Sequence, residues 1–295
     1  MWNQRDDEVI LTMEHVSFRY MPGSPFEQLA LDDIDFSLKR GERVALVGQT
    51  GSGKSTLAGL CNGIAKPTGG VVRVFGLDTR GDKRVQRQLR ARVGHVMQSP
   101  EDQLFEHFVG DDVAFGSLKL GFALAEARER AKRAMALVGL DFAEKDLPIY
   151  SLSRGKKRLV AIAGILAMEP DLLILDEPTS GLDPLTGRAL LASLSALNQT
   201  QGTTLLFITH RVGEVLQLAS RVVVMERGRV IRDGDPEALF FTAGDLPRGL
   251  HIPEEALIGQ HLRQSGVDVS RGDLTATGLA QAMLRGLRQE ERQNG

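Results

Sequence analysis

The stretch Arg43-Val44-Ala45-Leu46-Val47-Gly48-Gln49-Thr50-Gly51-Ser52-Gly53-Lys54-Ser55-Thr56 constrains this chain more than any other. A short aliphatic run ends in glycine, four residues pass, and Gly53-Lys54-Ser55 follows. This is the phosphate-loop pattern G-x-x-x-x-G-K-[ST], set after a strand and before a helix predicted over Ser55–Ala65. Its glycines let main-chain N–H groups curl around phosphates. Lys54 reaches the β- and γ-phosphates, and the Ser55 hydroxyl suits Mg²⁺. Gly48, Gln49, Thr50, Gly51, Ser52, Gly53, Lys54, Ser55 and Thr56 are therefore predicted to form a nucleotide site.

The rest of the chain reads as an α/β protein built around that loop. Residues 9–20, 31–38 and 71–75 read as strands of a small, antiparallel sheet. Residues 92–98 read as a strand with Gln98 at its end, and helical patterns follow to about Met168, at 123–138 and 156–168. Leu172-Leu173-Ile174-Leu175-Asp176 is an apolar run too short for a helix between Pro170 and Pro178, hence a buried strand. Strands at 203–209 and 222–226, separated by helical stretches 186–198 and 211–219, argue for a parallel sheet. After Gly234-Asp235-Pro236 the character changes, with amphipathic helices predicted at 253–265 and 276–291. Their apolar faces suit packing on the main domain or a contact with another protein.

At 295 residues the chain is long enough for one large or two modest domains. A net charge of −2 and a pI near 6.3 give no support to a nucleic-acid partner held by bulk charge. Cys61 is the single cysteine, so an intrachain disulfide is impossible and a reducing compartment fits. Met1 to Glu8 are polar and acidic, unlike a signal peptide, and no apolar run reaches the roughly 20 residues that span a bilayer.

Other motifs narrow the chemistry. Asp176 closes a buried strand, where it is placed to hold Mg²⁺ through water, and the adjacent Glu177 is placed to polarise an attacking water as general base. Leu152-Ser153-Arg154-Gly155-Lys156 opens a helix, whose start offers free N–H groups and a dipole to an anion. Asp176-Glu177-Pro178-Thr179-Ser180-Gly181-Leu182-Asp183 and His210 follow in order.

In that order these segments resemble the nucleotide-binding subunits of ATP-binding cassette (ABC) transporters, over residues 9 to about 235. The resemblance implies a P-loop NTPase (RecA-like) α/β core with an antiparallel β subdomain, a helical subdomain at about 99–168 and a small C-terminal helical appendage. It divides the chain into an ATP-binding domain at 1–240 and an appendage at 241–295. It assigns Gly48–Thr56 to Walker A, Gln98 to the Q-loop, Leu152–Lys156 to the signature and Asp176–Glu177 to Walker B. Ser180–Asp183 become the D-loop, His210 the switch histidine, and Tyr20 the aromatic that stacks on adenine. The implied cofactors are ATP and Mg²⁺, with Ser55, Asp176 and Gln98 at the metal and Glu177, His210, Gln98 and Lys54 in hydrolysis. Ser153, Gly155 and Asp183 would serve a nucleotide shared with a second ATPase.

Tyr20–Asp33, with Pro22-Gly23-Ser24-Pro25-Phe26-Glu27, and Met97-Gln98-Ser99-Pro100-Glu101-Asp102-Gln103-Leu104-Phe105, continuing to Asp112-Val113-Ala114-Phe115-Gly116, look more narrowly like the ATPases of energy-coupling factor (ECF) transporters. Those import vitamins or transition-metal ions. The implied partners are a second ATPase, a transmembrane coupling component and a substrate-binding membrane component, placing the chain peripherally on the cytoplasmic face of the cell membrane. An ordinary ABC importer subunit and a soluble ABC ATPase used as an assembly switch stay open at this point. The signature departs from the usual Leu-Ser-Gly-Gly-Gln, with Arg154 for the first glycine and Lys156 for the glutamine. That asymmetry favours pairing with a related ATPase rather than a second copy, although a homodimer remains open. Arg154 either points to solvent or adds a cation near phosphate.

Overall fold

A computed structural model describes residues 8–241, 252, 254–270, 274 and 276–293. Strands β1 (Val9–Tyr20), β2 (Gln28–Lys39) and β3 (Arg43–Val47) lead into helix α1 (Lys54–Cys61). Strands β4 (Gly69–Val74) and β5 (Leu77–Asp78), helix α2 (Lys83–Arg92) and strand β6 (Val93–Val96) come next. Helices α3 (Val109–Leu120), α4 (Leu124–Leu137) and α5 (Arg154–Leu166) fill the middle of the chain. Strand β7 (Leu172–Asp176), helix α6 (Pro184–Gln201), strand β8 (Thr204–Ile208) and helix α7 (Val212–Leu218) then alternate. Strands β9 (Arg221–Glu226) and β10 (Arg229–Gly234) and helices α8 (Pro236–Phe241), α9 (Glu254–Gln264) and α10 (Ala276–Gln293) complete the chain.

Two sheets organise these elements. The first, in order β2-β1-β4-β5, is antiparallel. The second, in order β10-β9-β3-β8-β7-β6, is parallel apart from β10 at its edge. The apolar runs of β3, β7 and β8 are continuous because both faces of this sheet are covered. Side chains alternate between two cores, as strand geometry requires. Ala45, Val47, Leu173 and Leu175 face the helices α3 to α7. Val44, Leu46, Leu172 and Ile174 face α1 and the antiparallel sheet. Cys61 lies in that second core, fully buried, its thiol donating to the Leu57 carbonyl at 3.3 Å and pushed up by burial.

The expected strand at 92–98 is corrected at both ends. Arg92 ends α2, capped at its start by Asp82, which accepts from the N–H groups of Arg84 and Val85. Strand β6 then covers only Val93–Val96, so Gln98 lies in the loop beyond it. Periodicity concealed α2 because Leu89 is its one buried residue. In α4 the small Ala127, Ala131 and Ala134 are buried with Met135, while Leu124 turns outward. In α10, Leu279 and Ala282 pack with Val269, but Met283, Leu284 and Leu287 remain exposed. Ala256 of α9 joins the main core, and Arg263 pairs with Glu237 of α8 at 3.0 Å.

Candidate nucleotide site

The site is assembled by the register of three neighbouring parallel strands. Leu46 of β3 lies opposite Ile208 of β8, and Ile208 lies opposite Asp176 of β7. The loops leaving their C-terminal ends are therefore adjacent, at the sheet edge where open α/β folds bind ligands. They carry Gly48–Gly53, Glu177 and His210.

The loop after β3 depends on its glycines at two points. Gly48 has φ 145°, and a Cβ there would sit 2.1 Å from the Met225 carbonyl oxygen. Gly53 has φ 102°, with the Ala30 carbonyl oxygen 2.7 Å from the place of a Cβ. No side chain fits either position without moving main chain. Gln49, Thr50 and Gly51 form an exposed rim, and Ser52 is buried beneath them. Lys54 Nζ folds back to the carbonyls of Gly48 and Gln49, both at 2.8 Å, and lies 3.3 Å from Ser52 Oγ. Burial lowers the Lys54 ammonium from its ordinary value, while Asp176 and Glu177 pull it back up.

Ser55 Oγ donates to Asp176 Oδ2 at 2.6 Å, linking the loop to β7. Asp176 is 5% exposed, and burial raises its carboxyl above the usual range, partly offset by the Ser55 hydrogen bond. A buried carboxylate beside a hydroxyl is a hard-oxygen donor set, of the kind Mg²⁺ takes with water and phosphate oxygens. The residues present fit that ion.

Glu177 is held from several sides. Its φ is 49°, a left-handed conformation that is costly for glutamate. Its N–H donates to the Ile208 carbonyl at 2.9 Å, and its own carbonyl accepts from Ser180 at 3.1 Å and from Arg158 Nη1 at 2.7 Å. The carboxylate is hydrogen-bonded to His210 Nδ1 at 3.0 Å. Sequence reasoning missed Arg158. It is buried on α5, and its Nη2 also donates to the Gln98 carbonyl at 2.6 Å. The one available signal was an arginine inside a basic run that continues onto a buried helix face. Also missed was Glu214, buried between Thr179 and Thr209, to both of which it is hydrogen-bonded.

The remaining predicted residues divide into two groups. Tyr20 is half exposed, its hydroxyl 2.9 Å from Thr56 Oγ1 and its ring edge-on to Phe18. That places an aromatic surface beside the phosphate loop. Gln98 is joined to the site through its main chain and Arg158. Ser153, Gly155 and Asp183 belong to a second cluster. Ser153 caps α5, accepting from the Lys156 N–H at 3.3 Å. Asp183 caps α6, accepting from the N–H groups of Leu185 and Thr186 at 3.0 Å. The Thr186 side chain, together with these N–H groups, holds its carboxyl below the usual range. A Cβ on Gly155 would lie 3.6 Å from Leu182, so the two caps sit side by side.

A phosphate loop on a central parallel strand, a strand-end Asp-Glu pair and a histidine beyond the next strand define an ATPase cassette. The model of the ABC transporter family matches residues 31–180. The energy-coupling factor transporter ATP-binding protein EcfA2 of Clostridium tetani is 39% identical over 277 residues, covering 93% of this chain and 96% of its own. The EcfA2 protein of Symbiobacterium thermophilum is 42% identical over 278 residues, covering 94% and 96%. Among solved structures, cbiO1 of Clostridium perfringens, part of the ABC transporter complex cbiONQ, superposes with a TM-score of 0.73. It is 35% identical and covers 88% of this chain and 96% of its own. The ATP-binding cassette MJ0796, in a dimeric post-hydrolysis state with ADP and Pi, gives a TM-score of 0.71 at 27% identity, covering 77% and 99%. The chain belongs to the ABC transporter family, among the ATP-binding proteins of energy-coupling factor transporters.

Proposed function

We propose that this ATPase powers an ECF-type importer from the cytoplasmic face of the membrane, paired with a second ATPase and docked on transmembrane partners. Among the described residues no helix is long and apolar enough to cross a membrane. In this reading movement of cargo falls to the transmembrane partners, which also select the vitamin or metal ion. The observation that carries the reading is the convergence of Lys54, Ser55, Asp176, Glu177 and His210 at one sheet edge.

In this reading residues 1–240 bind and hydrolyse ATP, residues 241–295 form the appendage, and Tyr20 stacks on the base. Main-chain N–H groups of Gly48–Gly53 and Lys54 hold the phosphates. Ser55 and Asp176, with Gln98 nearby, hold Mg²⁺, which supplies charge neutralisation at the phosphates. Glu177 takes a proton from water as its oxygen attacks the γ-phosphorus and the bond to ADP breaks. His210 orients Glu177 and contacts the γ-phosphate. Ser153, Gly155 and Asp183 serve the nucleotide of the facing ATPase.

Affinity purification of the tagged chain from detergent-solubilised membranes tests this. A second ATPase, a shared transmembrane component and a small binding membrane protein should co-purify. Recovery of the chain alone, with full ATPase activity, would refute the transporter assignment. Both cations that mark the altered signature favour a related partner over a second copy. A fully active complex containing only this ATPase, with two equal sites, would remove that preference.

A further inference from the structure

The two basic residues that alter the signature do not stand free. Arg154 Nε donates to Glu101 Oε1 at 2.7 Å, and Lys156 Nζ donates to Glu144 Oε2 at 2.5 Å. The Arg154 pair is the unusual one, because the Arg154 side chain is 74% exposed while the Glu101 side chain is only 6% exposed. A carboxylate taken this far from water must be compensated, and losing its main partner is costly.

Glu101 has a second cation nearby, at longer range. Its Oε2 lies 3.4 Å from Arg158 Nη2 and makes no hydrogen bond of its own. Arg158 meanwhile spends its two terminal nitrogens on the carbonyls of Gln98 and Glu177, at 2.6 and 2.7 Å. The result is a continuous chain: Arg154, Glu101, Arg158, and then the main chain on either side of the site. With Arg154 gone, Glu101 would have Arg158 as its remaining close cation. The pull of that carboxylate on Arg158 would compete with the two carbonyls. Groups sharing one polar network couple in this way.

We propose that Arg154 is a positioning residue for the ATP site of its own chain. It satisfies Glu101, leaving Arg158 free to hold the Gln98 and Glu177 carbonyls in register for hydrolysis. A turn that faces the neighbouring nucleotide thus also sets the geometry of the home site. The proposal rests on the reading of Glu177 as base.

The experiment uses the intact membrane complex, with the facing ATPase inactivated by a base-to-carboxamide change so that turnover reports this chain's site alone. Arg154→Gln, Glu101→Gln and the double variant are compared for kcat and for the KM of ATP, with thermal midpoints confirming folding. Arg154→Gln should lower kcat by about fivefold while KM moves less than about twofold, whereas Glu101→Gln, which removes the competing carboxylate, should stay within about twofold of wild type and should restore most of the lost kcat in the double variant. Arg154→Lys, which keeps the charge, should restore part of the loss. Wild-type kcat in Arg154→Gln, or a double variant as slow as Arg154→Gln alone, would overturn the proposal. Glu177→Gln in the same complex separates the two readings. If it turns over normally, the base assignment fails; if it is inactive while Arg154→Gln is normal, only the positioning role fails.

Discussion

Arg158 Nη1 donates at 2.7 Å to the carbonyl of Glu177, the residue held at φ 49° beyond the end of β7. A side chain from α5 therefore braces the main chain of Glu177, the proposed general base. Arg158→Met should leave the Gln98 and Glu177 carbonyls short of a donor and Glu101 short of a cation. Stability should fall by about 2–4 kcal/mol in urea unfolding, with kcat reduced more than ATP affinity.

Glu177→Gln keeps the size and the contact to His210 but cannot accept the proton from water. Hydrolysis should drop by about 10²–10⁴-fold, while ATP binding, followed with a fluorescent nucleotide, stays near wild type. The variant should also accumulate as an ATP-bound dimer on size exclusion. Normal turnover would remove Glu177 as the base.

Lys54→Ala removes the cation that the loop folds over its own carbonyls at Gly48 and Gln49. Phosphate charge would then go uncompensated in a partly buried setting. A fall of about 10²-fold or more in kcat/KM is expected, and wild-type kinetics would contradict the phosphate role.

A pH effect arises away from the phosphates. His95 on β6 is pushed by burial from 6.5 to about 4, and its Nδ1 lies 2.8 Å from the Asn62 side-chain amide. The unfolded chain takes up this proton first as pH falls, so the neutral ring favours the folded state. Its contribution should be full above pH 6.5, decline between 6.5 and about 4, and level off below that. Urea midpoints at pH 7 and pH 5 should differ less in His95→Asn than in the native chain. Equal differences would show that other groups set the acid limb.

Much of this architecture was legible from residue pattern because the informative segments obey strong local rules. Glycines at positions 48 and 53 have no steric alternative, and the apolar run Leu172–Ile174 is too short and too buried to be anything but a strand. Helix α2 was illegible because a surface helix with one buried leucine leaves no period to read. Arg158 was illegible for a different reason. Its role depends on carbonyls 60 and 19 residues away in sequence, which only the folded chain brings together. The fate of Arg154 likewise hung on a tertiary partner, Glu101, 53 residues upstream.

The sealed thiol of Cys61 has a practical consequence. The chain's only cysteine is fully buried and its thiolate is disfavoured, so maleimide reagents should pass over it in the folded protein. A cysteine introduced at Leu287, on the exposed stripe of α10, would then be the sole reactive handle. Spin labels or dyes placed there would report distances within the assembled transporter without first rebuilding the core to remove a native thiol.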